Sequence, residues 1–116
     1  MNIEKFENLI VWQKARVLCK SIYKSFSLSN DFGFNNQIQR ASVSIMNNIA
    51  EGFERKSNKE FRQFLYIAKG SCGEVRSMLH LAGDLEKIEK ENCELLKTQS
   101  EEISKILSGL IKSLNI

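Results

Sequence analysis

Seven residues, Phe61, Leu65, Ala68, Cys72, Val75, Leu79 and Ala82, recur at alternating steps of four and three, which puts them on one face of a long α-helix. No strand can use that spacing, because a strand turns its side chains over every second residue. The chain contains no proline to interrupt such a helix, and no β-branched runs bounded by tight turns compete with it. Just before the stripe, Ser57-Asn58-Lys59-Glu60 has the form of a capping box, which predicts the helix start. Gly70 and Gly73 lie inside the helix, where they mark either close approach of a neighbour or simple tolerance.

The same periodicity predicts three more helices. In the first, Asn8 is the expected cap and Val11, Ala15, Leu18 and Ile22 form the stripe, widened by Trp12, Cys19, Tyr23 and Phe26. Asp31-Phe32-Gly33-Phe34-Asn35 reads as a turn, with Asn35 capping a second helix that carries Ile38, Ala41, Ile45 and Ile49 and ends near Gly52. The polar stretch Glu86 to Asn92 reads as a connection to a fourth helix through Leu96, Ile103, Leu107, Leu110 and Leu114. Short connections favour antiparallel neighbours, so the expected fold is all-α: an up-down-up-down four-helix bundle, with residues 1–116 as a single domain. A further stripe of Val43, Met46, Ala50 and Phe53 either completes the core or invites self-association.

Composition narrows the function more by exclusion than by assignment. No apolar run approaches the roughly 18 residues of a membrane span, and no secretory signal is visible, so the chain is read as cytoplasmic and without a membrane partner. Cys19, Cys72 and Cys93 form no C-x-x-C pair; Cys19 and Cys72 read as small core hydrophobes, with Cys93 less clearly buried. No nucleophile–base set, metal-ligand spacing or glycine-rich phosphate loop is present, so neither an enzyme nor a metal or cofactor is expected. Net charge is +3, and residues 1–29 hold Lys5, Lys14, Arg16, Lys20 and Lys24 against Glu4 and Glu7. A basic excess of that kind is compatible with an acidic partner such as nucleic acid.

Two clusters stand out. Along the second helix, Gln37, Arg40, Asn48, Glu51 and Gly52 add polar and small residues that packing alone does not require, and Arg40 with Glu51 reads as an ion pair locking helices or subunits. At the turn that follows, Arg55, Lys56, Lys59 and Arg62 gather, with Lys69 two turns further on, and these are the candidate phosphate contacts. Tyr66 between Arg62 and Lys69, and Trp12 and Tyr23 beside Lys20 and Lys24, are candidate stacking residues, Trp12 being the better fit to burial. His80 has no second ligand near it and pairs more naturally with Asp84 than with a metal.

Taken in order, Phe6-x-x-Leu9-x-Val11-Trp12-Gln13-x-Ala15, Gln37-Ile38-x-Arg40-Ala41, Ser44-Ile45-x-x-Asn48-Ile49-Ala50-Glu51-Gly52, Glu60-Phe61-x-x-Phe64-Leu65-x-Ile67-Ala68-x-Gly70-Ser71 and Gly83-Asp84-Leu85 resemble the bacterial 23S rRNA-intervening-sequence proteins. That family is similar to the accessory variability determinant of diversity-generating retroelements. The resemblance implies a four-helix bundle assembled as a homopentameric ring, with basic surface that engages RNA or DNA. Its members commonly carry a Gly-Tyr-Ile-Ser-like turn before the last helix, where this chain reads Glu86-Lys87-Ile88-Glu89. The expected function is thus a non-enzymatic oligomer that binds nucleic acid; the alternative is a protein-interaction scaffold.

Overall fold

The computed structural model describes residues 3–115. After a short 3-10 turn at Phe6–Asn8, four helices follow: α1 (Ile10–Ser25), α2 (Phe32–Phe53), α3 (Asn58–Asp84) and α4 (Lys90–Ser113). Each packs against its neighbours in the order α1-α2-α3-α4 and back to α1, giving an antiparallel bundle of 44 × 21 × 20 Å. Every residue of the four-three stripe on α3 is buried, from Phe61 to Ala82. Leu18, Ile22, Ile38, Ile45, Leu65, Leu79, Ile103 and Leu107 join it in one continuous core. Each such side chain contributes roughly 1.5–3 kcal/mol of transfer free energy. The wider stripe Val43, Met46, Ala50 and Phe53 is only half-buried.

Helix starts agree with local chemistry only where tertiary contacts permit. Ser57 caps α3, its Oγ accepting from the Glu60 N–H at 3.2 Å. Asn8 does not cap α1: it sits in the 3-10 turn, and Leu9, buried in the core, holds the N-cap position without a side-chain bond. Asn35 does not cap α2 either. That helix begins a turn earlier, where Asp31 Oδ1 accepts from the Phe34 N–H at 3.1 Å. The Asp31 carboxylate also meets Lys87 Nζ at 2.9 Å, and the Lys87 bond, with that from Phe34, holds its pKa below the usual carboxylate value. Asn35 turns inward instead and donates to the Ser29 carbonyl.

The connection before α4 is shorter than the polar stretch implies. α4 begins at Lys90, and Cys93 is buried with its Sγ donating to the Leu79 carbonyl at 3.1 Å. α3 ends in a Schellman motif, in which Lys87 N–H bonds the Ala82 carbonyl and Glu86 N–H the Gly83 carbonyl. Glu86 consequently adopts φ 54°, a left-handed conformation that favours glycine. Glu86→Gly is therefore expected to stabilise the fold by about 1 kcal/mol, read as a higher urea midpoint with an unchanged slope.

Candidate functional site

The polar face of α2 closes onto α3. Gln37 Nε2 donates to Glu74 Oε2 at 3.4 Å, Ser44 and Ser71 share a 2.9 Å hydroxyl bond, and Asn48 Nδ2 donates to both the carbonyl and Oγ of Ser44. Gly52 ends this line against Phe61 and Phe64, where a Cβ would stand 2.5 Å from Phe64 Cβ. Four of the five residues of the α2 cluster thus line or flank the α2–α3 seam. The expected Arg40–Glu51 pair does not form: Glu51 accepts from Arg55, one turn away, at 3.2 Å. Arg40 is exposed and has no ion pair among the described residues.

The five hairpin cations are distributed over the end and two sides of the α2–α3 hairpin. Arg55 lies over the Phe64 ring at 4.8 Å, while Lys56 and Lys59 stand exposed at the end. Arg62 and Lys69 are half-buried on the side of α3 facing α4, in register with Asn58, which reaches Asn115, and with Gly83, which meets Cys93. Lys56 borders a hollow of about 580 Å³ between this tip and the end of α4, closed by Asn58, Phe61 and Leu114. Tyr66 is exposed. Trp12 is half-buried, with Phe6 edge-on at 5.1 Å and Arg16 over its ring at 5.6 Å.

Exposed apolar residues fall largely on two opposite sides. On the α1/α4 side, Ile10 and Val17 face the α4 register that carries Leu95, Gln99 and Glu102, with Lys14 bonded to Glu102 at 2.6 Å. A groove of about 410 Å³ runs there, and Gln99 Oε1 is buried beside it without a donor. On the α2/α3 side, Ile67 and Leu81 continue the stripe of Phe64, Ser71 and Glu74 that contacts α2. Sequence reading missed the outward Ile10–Val17 and Leu95 positions. The seven-residue step from Ile10 to Val17 is the signal that could have shown them.

Titratable chemistry is sparse. Burial pushes the Cys72 thiol up to about 12, which keeps it protonated at neutral pH. His80 and Asp84 form no ion pair, and among the described residues no group of three His, Cys, Asp or Glu side chains could hold a metal ion. No helix of the described residues is long and apolar enough to cross a membrane.

No curated protein matches the chain. Among solved structures it is similar to a protein of unknown function from the S23 ribosomal protein family of Bacteroides thetaiotaomicron. The two are 30% identical, with 90% of this chain and 100% of that one covered and a TM-score of 0.83. The family model of the 23S rRNA-intervening sequence proteins matches residues 7–109, in agreement with the sequence blocks and the four-helix bundle, and the chain belongs to that family.

Proposed function

We propose that the chain acts as a cyclic homo-oligomer that holds nucleic acid on its basic surface and carries out no chemistry of its own. The observation that carries this reading is the pair of apolar sides, α1/α4 and α2/α3, on opposite faces of one bundle. Two different, opposed sides favour a head-to-tail contact between copies, which closes into a ring when the rotation per step fits. Polar complementarity supports the same partner: Gln99 Oε1 lacks a donor on one side, and Arg40, an unpaired cation, flanks the other. A pentamer is the count that family resemblance implies.

In such a ring the basic surface repeats with the symmetry, so a modest +3 per chain adds up to a field that attracts phosphates. The exposed Lys56 and Lys59, with Arg62, Lys69 and Arg55 behind them, are the proposed hairpin contacts. The family's tie to 23S rRNA intervening sequences supports a nucleic-acid context. A labelled RNA titrated by fluorescence anisotropy should bind at low salt, with log affinity falling linearly against log salt. Reversing Lys56, Lys59 and Arg62 to glutamate should weaken it about tenfold or more. Absence of binding to RNA and DNA at low salt would overturn the reading. A second reading, a protein scaffold without nucleic acid, is favoured by Leu28 and Phe32, exposed at the α1–α2 turn; it predicts a partner that survives nuclease treatment.

A further inference from the structure

We infer that the groove between α1 and α2 is a track for an unpaired nucleic-acid strand, with Arg16, Lys20 and Lys24 as its phosphate ridge and Tyr23 with Met46 as its stacking floor. The inference rests on the nucleic-acid reading above and names the strand form and the place. From Ile10 to Ser25, α1 holds no acidic residue. Its fourth cation, Lys14, is occupied by Glu102, but Arg16, Lys20 and Lys24 have no ion pair among the described residues. Their four-residue steps set successive charges about 6 Å apart along one ridge, a repeat that an extended phosphate backbone can follow.

The opposing wall is uncharged where the ridge faces it. α2 contributes Met46 to the groove, and its only acidic residue, Glu51, is bonded to Arg55 on the α3-facing side. Asp31, the only acid between Asn8 and Ala50, lies at the far end and is held by Lys87. A hollow of about 490 Å³ opens between the helices, and the Tyr23 side of it is 45% exposed. Trp12, by contrast, is already covered by Arg16 and Phe6. One line of cations over an apolar floor, rather than two rails, fits a single strand whose bases are free to stack. A duplex keeps its bases stacked inside and offers Tyr23 nothing.

The test uses the assembled full chain and a fluorescein-labelled oligouridylate of about 12 nucleotides, within the span of common single-strand sites. Lys20→Glu with Lys24→Glu is expected to lower affinity about tenfold or more and to flatten the log–log salt slope by about one unit. Tyr23→Ala should lose about tenfold with the slope unchanged, while Tyr23→Phe keeps the affinity. These residues are exposed, so an unchanged far-UV spectrum is expected for each variant. A blunt duplex of equal length should bind more weakly and ignore Tyr23→Ala. If the groove variants bind like the parent while reversal of Lys56, Lys59 and Arg62 abolishes binding, the groove is wrong and the wider reading stands. Equal competition by polyglutamate, or equal loss of duplex binding in Tyr23→Ala, also overturns the groove. No binding by the parent overturns both.

Discussion

Gly52→Ala is expected to destabilise the fold by about 2–3 kcal/mol, the largest stability loss predicted for so small a change. The added methyl would stand 2.5 Å from Phe64 Cβ and 3.0 Å from Phe61 Cδ1. Neither contact is easily relieved. Phe64 Cβ is fixed to the α3 backbone, so α2 and α3 must move apart where the hairpin tip is built. Shortening Phe64 to alanine should not rescue the variant, because the clashing atom remains. The same substitution at Gly70 or Gly73 should have the opposite sign and stabilise by about 0.5–1 kcal/mol, since a Cβ there meets nothing within 4 Å. Chemical denaturation of the three variants checks both signs together.

Val17→Asp combined with Leu95→Asp is expected to convert the assembly to single chains. Both residues are 55% exposed in the isolated bundle, so a carboxylate there leaves the core untouched and disturbs the fold little. In the proposed ring the same positions face a second copy, where each unpaired charge would cost about 3 kcal/mol at every contact. Sedimentation velocity should therefore show a large drop in particle mass with an unchanged far-UV spectrum. Unaltered mass would remove the α1/α4 side from the interface.

Helix number, type and core face were legible because a four-three stripe has a single geometric solution: Phe61 through Ala82 is buried as its spacing predicts. The caps were less legible, because a cap is decided by what else competes for the residue. Leu9 entering the core displaces Asn8, and Asp31, drawn both to Phe34 N–H and to Lys87, outcompetes Asn35. Cys93 was obscured by its polar neighbours, although a thiol is small enough to fit beside Gly83. The partner of Glu51 went wrong for a related reason. Arg55, a single turn away, reaches it with less ordering than Arg40 would need. The two opposed apolar sides depend on which helices stand next to one another, and that order emerges only once the bundle is assembled.

The α2 cluster acquires a double role from this geometry. Gln37, Ser44 and Asn48 fasten α2 to α3, and Gly52 lets the pair close at the tip. The side they build is one of the two that the ring uses. Light scattering on the purified chain at micromolar concentration tests that account most directly. It predicts one species several times the 13.3 kDa of a single chain, five times by the family resemblance. A uniform 13.3 kDa particle would contradict it.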